Sequence, residues 1–381
     1  MRERGVRGIG VFCMAATACG RMNFDPQTDG GGVPPDVPVC ASSGFTVVAA
    51  GVANGPYFAI GHLDGDGLPD LAALTAASDS LRLFLGVGDG TFRMTATIGL
   101  ADNLQTLAMT DVTRDGVQDI VLLGLSGVFV FSGRGDGTVD APITSSTCAT
   151  PGSVVVAALD ADENLDIAAT CSDTNDVSVG RGNGDGTFAA AMAFETGGYP
   201  NDVAAADFDR DGAIDLATAN VVANTISVLR STGNGSFLPN VDYAAANSPY
   251  QIAAADLDRD GYPELGVARS ATGRTVSIWR NLGDGTFAPR VDYSHGPGIT
   301  FAFGDLDGDG DIDVVAADQE DMTASLFMNN GDGTFAAPTI LDASFSVRTV
   351  ATSDVNRDGA LDIVGTDFAS GDLYVFLGQC I

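Results

Sequence analysis

From Phe45 onward, short runs of small apolar and β-branched residues alternate with turns built from Gly, Asp and Asn. The stretch Val203 to Tyr243 shows the grammar well. Val203-Ala204-Ala205-Ala206 reads as a strand that runs into an acidic loop, and a second strand, Leu216 to Ala219, leaves that loop. A polar turn at Ala223-Asn224-Thr225 leads to a third strand, Ile226 to Arg230, and a Gly-rich hairpin, Gly233-Asn234-Gly235-Ser236-Phe237, leads to a fourth near Val241-Asp242-Tyr243. Alternating positions, β-branched residues and Gly/Asn turns predict a four-stranded antiparallel unit.

The unit recurs. Its acidic nonapeptide starts at His62, Asp111, Ala158, Asp207, Asp256, Asp305 and Asp354, at spacings of 49, 47, 49, 49, 49 and 49. A fixed period of this length marks a stacked array and matches propeller blades. First strands are rich in small residues (Ala59, Gly61, Ala108, Ala157, Ala204, Ala254, Ala302, Gly304, Ala351), as crowding around an axis requires, and third strands such as Leu81 to Leu85 and Val276 to Trp279 carry the bulk. The hairpin recurs as GDGTF or a close variant ending in Phe92, Val139, Phe188, Phe237, Phe287 and Phe335, and each Phe is expected to plug a gap between blades.

The seventh copy lacks a hairpin and fourth strand after Leu377-Gly378, whereas Ser43-Gly44-Phe45 and Thr46-Val47-Val48 resemble the missing pieces. The expectation is a closed ring whose last blade is completed by the N-terminal strand, rather than an open solenoid. Cys40 and Cys380 fall within one residue of the same blade position, so a disulfide there would staple the termini. Cys148 and Cys171 flank an antiparallel strand pair and could form a second bridge, which fits an oxidising compartment.

In DFDRDGAID, Asp207, Asp209, Asp211 and Asp215 occupy positions 1, 3, 5 and 9 around Gly212. Hard oxygen donors at that spacing, with a backbone carbonyl near position 7, are what a Ca²⁺ ion requires. Placed between two strands, with GDGTF about twenty residues on, the pattern resembles the FG-GAP/VCBS repeat of integrin α-subunit propellers and bacterial secreted repeat proteins. The resemblance covers residues 45–381 and implies an all-β, seven-bladed propeller with Ca²⁺ loops in the first hairpin of its blades. Residues 40–381 are taken as this domain. An EF-hand loop would require an acid where Thr218 stands, and flanking helices.

The copies are unequal. Besides loop 4, loop 6 (Asp305, Asp307, Asp309, Asp313) matches fully; loop 5 (Asp256, Asp258, Asp260) ends in Glu264, and loop 7 (Asp354, Asp358, Asp362) has Asn356 at position 3. Loop 2 (Asp111, Asp115, Asp119) has the weaker ligand Thr113. Loop 1 (Asp64, Asp66, Asp70) begins with His62, a poor partner for a hard cation, and loop 3 (Asp160, Asp162, Asp166) has Ala158 at position 1 and Glu163 in place of Gly, so the weakest affinity is expected there. The alternative, Asp-rich turns that merely cap strands, weighs most for loops 1 and 3. The ions are expected to be structural.

The formal charge of −32 comes largely from these loops, which hold about half of the 50 acidic side chains, and a chain this negative should avoid nucleic acid. Arg2, Arg4 and Arg7 precede a short apolar run from Gly8 to Ala18, and Ala16-Thr17-Ala18-Cys19 resembles a bacterial lipoprotein lipobox, with Ala16 where Leu is usual. Residues 1–19 are therefore read as a signal peptide whose Cys19 becomes a membrane lipid anchor, with ordinary cleavage and secretion as the alternative. Residues 20–39, with Gly30-Gly31-Gly32 and Pro34-Pro35, read as a flexible tether.

The two histidines are His62, inside a loop, and His295, in a turn, and no Ser-His-Asp spacing, phosphate loop or zinc motif is visible. The expectation is a monomeric, non-catalytic module of the bacterial cell envelope that binds extracellular protein or carbohydrate, or acts as a scaffold. The resemblance implies that ligands use the face opposite the loops, whose connections include Tyr57, Tyr199, Asn201, Asn220, Asn224, Asn247, Tyr250 and His295. An extracytoplasmic hydrolase with an axial site built from several blades is the alternative.

Overall fold

A computed structural model describes residues 46–49 and 57–378, apart from 76–78, 101, 246, 270–274, 295–299, 319–321, 344–345 and 368–369. Cys13, Cys19, Cys40, Cys380 and His295 lie outside the described residues, as does the proposed signal segment and tether. The described residues form seven four-stranded antiparallel sheets and no helix. Six sheets are built from consecutive strands. In blade 4 these are Pro200–Ala206, Asp215–Asn220, Thr225–Leu229 and Val241–Ala244. The seventh combines Val347–Ser353, Asp362–Asp367 and Leu373–Leu377 with Thr46–Ala49, which pairs antiparallel with Leu373–Leu377 (Thr46 opposite Leu377, Ala49 opposite Tyr374). The N-terminal strand thus latches the ring.

First strands of successive blades run side by side around the axis, and each blade presents its buried second and third strands to its neighbours. The apolar interior divides into seven clusters, one per blade interface. Ala217, Val228 and Phe208 of blade 4 meet Leu265, Val267 and Trp279 of blade 5, and Phe58, Leu71 and Phe84 of blade 1 meet Val364, Leu373 and Val375 of blade 7 across the closure. Small residues on the first strands are required by close approach. A Cβ on Gly304 would come within 2.8 Å of Leu361 and 3.0 Å of Thr352 in the next blade.

The hairpin Phe residues seal these interfaces as expected. Phe287 stacks edge-on against Phe208 and Tyr243 of the preceding blade at centroid distances of 5.4 and 5.7 Å, Phe237 against Phe194 at 5.1 Å, and Phe335 against Tyr293 at 5.1 Å. A disulfide joins Cys148 to Cys171, with Cα atoms 5.9 Å apart, and ties the lead-in of blade 3 to the end of its second strand.

Because Phe287 is buried against two rings of another blade, Phe287→Ala should lower stability by about 3–5 kcal/mol, measured as a shift of the urea midpoint. A change below 1 kcal/mol would remove the hairpin from the account of blade packing.

Candidate metal loops and the opposite face

The loops owe their shape first to position 9. All seven residues there are at most 1% exposed, and in each one carboxylate oxygen accepts the backbone N–H of position 2 while the other accepts an N–H at the end of the third strand or within two residues after it. For Asp215 the donors are Phe208 at 3.0 Å and Ser231 at 2.6 Å; for Glu264, Leu257 at 2.8 Å and Asn281 at 3.2 Å; for Asp313, Leu306 at 2.9 Å and Asn329 at 2.8 Å. Asp70, Asp119, Asp166 and Asp362 repeat the arrangement with Leu63 and Gly86, Val112 and Gly133, Leu159 and Gly182, and Val355 and Gly378. Sequence spacing marks position 9 as a ligand; its service as a clip between loop and hairpin has no separate signature.

Position 1 then folds the loop over itself. Asp207 accepts the N–H groups of Asp211 and Gly212, and Asp256, Asp305 and Asp354 likewise accept from Gly261, Gly310 and Gly359. Position 6 adopts a left-handed backbone in all seven loops, with φ from 67° at Glu163 to 91° at Gly359, so glycine is the natural occupant and Glu163 is strained.

Four loops gather three carboxylate oxygens within 4.8 Å of one another: Asp160, Asp162 and Asp166; Asp207, Asp209 and Asp215; Asp256, Asp258 and Asp260; Asp305, Asp307 and Asp313. These clusters could hold a metal ion. In loop 5, Asp256 Oδ1 is shielded from solvent and has no hydrogen-bond partner, which fits a site completed by a hard cation. Loop 3, expected to be the weakest, is among the four despite Ala158 and Glu163. In loop 5 the cluster comprises positions 1, 3 and 5 and leaves Glu264 to the clip. Loops 2 and 7 (Asp111, Thr113, Asp115, Asp119; Asp354, Asn356, Asp358, Asp362) place fewer acids together, and loop 7 instead pairs Asn356 Nδ2 with Asp358 Oδ2 at 3.0 Å. In loop 1, Asp64 and Asp66 only cap their own turn, accepting from Asp66 N and Leu68 N. His62 Nδ1 lies 3.0 Å from the carbonyl of Leu68 at position 7; a carbonyl accepts, so the ring donates to the oxygen that a cation would use.

Burial, reinforced by the neighbouring loop carboxylates, pushes the position 9 acids up: Asp215, Glu264 and Asp313 to about 7 and Asp362 to about 6. Arginines soften the charge from one side, with Arg280 2.9 Å from Asp258 and Arg230 3.8 Å from Asp209.

At the other end of the first strands lies a belt of polar residues: Tyr57, Thr106, Ser153, Asp202, Gln251, Thr300 and Thr349, all buried. They weld blades together. Asp202 Oδ2 accepts from Ile252 N (2.9 Å), Gln251 exchanges two bonds with the Phe301 backbone (2.8 and 2.9 Å), and Thr300 donates to Arg348 O (2.9 Å). Arg348 donates to the Tyr57 hydroxyl at 3.3 Å and lies over its ring, closing blade 7 on blade 1. Several residues read as surface contacts belong to this framework instead: Asn201, Asn220 and Tyr250 are buried, and Asn201 Nδ2 donates to Tyr250 O at 2.6 Å. Tyr199 and Asn247 remain exposed. Next to Tyr199, Val222 is 68% exposed, and the two loops are joined by Val221 N to Tyr199 O (2.9 Å) and Val222 N to Gly198 O (3.2 Å).

A family model described as FG-GAP-like repeat matches residues 62–122, 111–169, 159–218, 210–267, 267–316 and 305–365. None of the curated proteins matches the chain. Among solved structures, BBS1N in complex with ARL6DN, soaked with lead, superposes with a TM-score of 0.65 at 12% identity, over 90% of this chain and 97% of that one. A lectin of Agrocybe aegerita, whose structure concerns recognition of non-reducing terminal N-acetylglucosamine, superposes with a TM-score of 0.56 at 20% identity, over 76% of this chain and 80% of that one. At these identities the likeness is one of fold.

The belt yields a pH-dependent test. Burial pushes Asp202 up to about 7, Ser153 stands across from it, and Oδ1 has no hydrogen-bond partner. A carboxyl whose folded value lies above its unfolded one destabilises the fold as pH rises from about 4 to 7. Asp202→Asn keeps an acceptor for Ile252 N and removes the charge. It should raise the thermal midpoint at pH 8 and leave it nearly unchanged at pH 4; a variant less stable than wild type at pH 8 would contradict the assignment.

Proposed function

The chain belongs to the family of FG-GAP-like repeat proteins, and we propose that it is a non-catalytic, calcium-stabilised extracellular propeller that recognises a protein or glycan on the face opposite the acidic loops. Attachment to the bacterial cell envelope through Cys19 is part of the proposal, which rests on the N-terminal motif. Among the described residues no helix is long and apolar enough to cross a membrane.

The observation that carries the reading is the division of labour between the two faces. The loop face commits most of its polar side chains to clips, acidic clusters and inter-blade contacts, and exposes Val87 and Leu282 singly on separate hairpins. On the opposite face the polar belt is consumed by blade-to-blade hydrogen bonds, while the loops above it present Tyr199, Val222, Leu125 and Met322, each 38–68% exposed. An exposed aromatic beside an aliphatic side chain, on loops held by a rigid ring, is the arrangement of a recognition surface. A non-catalytic role is supported by Asp202, the buried acid of the belt, whose upward shift comes from burial, is opposed by its hydrogen bonds and involves no charged partner.

In the loops, Asp207, Asp209 and Asp215, or Asp305, Asp307 and Asp313, would hold calcium with the position 7 carbonyl. The ion would supply the positive charge that these buried carboxylates otherwise lack.

Two outcomes test the proposal. Chelation with EDTA should lower the thermal midpoint by many degrees at pH 7.5, and calcium but not magnesium should restore it; an unchanged melt removes calcium. A glycan array and a pull-down with purified mature domain should yield a ligand whose binding falls at least tenfold in Tyr199→Ser/Val222→Ser with an unchanged melt. Blanks in both assays would favour a purely structural role.

A further inference from the structure

Position 4 of the loops carries Arg114, Arg210, Arg259 and Arg357 in loops 2, 4, 5 and 7, and Gly65, Ala161 and Gly308 in loops 1, 3 and 6. All four arginines adopt left-handed backbone, with φ of 57–60°, the conformation for which Gly65 and Gly308 are suited. A long side chain held there at conformational expense is expected to be tied to something.

Each arginine reaches the following loop, around the ring and in one direction. Arg210 Nη1 donates to Asp260 O of loop 5 at 3.3 Å, and its guanidinium lies 5.1 Å from the ring centre of Tyr262. Arg259 donates to Asp309 O of loop 6 at 3.5 Å and pairs with Asp311 at 3.0 Å. Arg114 pairs with Glu163 at 3.0 Å and donates to Asn164 at 3.2 Å in loop 3.

The position 6 residue of the receiving loop records the contact. A Cβ on Gly261 or Gly310 would come within 2.6 Å of Arg210 or Arg259, and one on Gly67 within 3.0 Å of Arg357. In the loops that follow an arginine-free loop, Gly116, Gly212 and Gly359, a Cβ would meet nothing within 4 Å. Glu163 falls in place as well: it stands in a receiving loop, where its carboxylate meets Arg114.

Arg210 and Arg259 are consecutive links, so loops 4, 5 and 6 form one continuous series. We propose that these two arginines are positioning residues that make loops 4, 5 and 6 a single cooperative cation-binding unit: closure of one loop around its ion sets the backbone from which the arginine grips position 5 of the next. This rests on the calcium reading above. Coupling between ligand sites typically amounts to a 5–150-fold change in affinity.

Tyr262 supplies a local reporter, because it occupies position 7 of loop 5 and can sensitise Tb³⁺ luminescence there. The midpoint of a Tb³⁺ titration, followed through tyrosine excitation on the full chain, should weaken about tenfold in Arg210→Ala. Asp209→Ala, which disables loop 4 without touching loop 5, should weaken it equally, and the two substitutions together should do no worse than either alone. Arg210→Lys retains the charge but not the planar fork or the stacking and should recover little. Simple electrostatics predicts the opposite sign, since deleting a cation near loop 5 would tighten Tb³⁺. An unchanged or tighter midpoint in Arg210→Ala, or additive effects, would overturn the coupling while leaving calcium binding intact. Absence of Tb³⁺ and Ca²⁺ binding in the wild type would overturn the calcium reading and the coupling with it.

Discussion

Everything on the loop face depends on a buried carboxylate that accepts two backbone N–H groups from opposite ends of a hairpin pair. A carboxylate without partners is expensive to bury, and one oxygen for position 2 and one for the exit of the third strand satisfy it at both ends. The result is a fixed relation between two turns that are distant in sequence, Phe208 and Ser231 in blade 4 for example, with Asp215 between them. From that relation the hairpin inherits its direction. It leaves the blade aimed at the neighbouring loop, where Asn281 Nδ2 reaches Phe208 O at 2.9 Å and Asn329 Nδ2 reaches Leu257 O at 2.7 Å.

The two ends of the first strands are joined by different chemistry. Toward the loops, hairpins cross the interfaces, joined by arginines from loops 2, 4, 5 and 7 and by edge-on aromatic rings between blades 3 and 4, 4 and 5, and 5 and 6; away from them, a belt of polar side chains exchanges hydrogen bonds with the adjacent backbone. Between the two lie the apolar clusters. Hydrogen bonds at either end give register, and burial between them provides most of the adhesion, since apolar area is the large term and a hydrogen bond contributes roughly 1 kcal/mol net. The same arrangement explains why Asn201, Gln251 and Tyr250 are not available to a ligand.

Much of the architecture was legible because it depends on local spacing. The repeat of the Asp loop gave seven units, the displaced strand at Thr46 gave the latch, while its hairpin Ser43-Gly44-Phe45 lies outside the described residues, and Cys148 and Cys171 gave their bridge. What escaped depends on contacts between blades, which a period does not encode. Asn201 and Tyr250 have the composition of a binding loop and are buried by the next blade. Asp202 looks like any acid beside a strand, and its perturbation arises from its place in the belt. Glu163 reads as damage to a glycine position until Arg114, 49 residues earlier, is seen to pair with it.

The clip also explains how ligand positions can differ so widely from loop to loop. His62, Thr113, Ala158 and Asn356 all depart from the acidic pattern, yet every one of these loops retains its position 9 acid and both of its backbone partners. A loop whose fold depended wholly on a cation would lose its shape with its first ligand. Here the hairpin relation is held by hydrogen bonds before any ion is considered, and positions 1, 3 and 5 act on a turn already in place. Loop 1 carries this furthest, since the His62 ring, donating to Leu68 O, closes the turn from within. The acidic loops are best understood as two devices superposed on nine residues, a backbone clip common to all seven and a cation cluster developed in some.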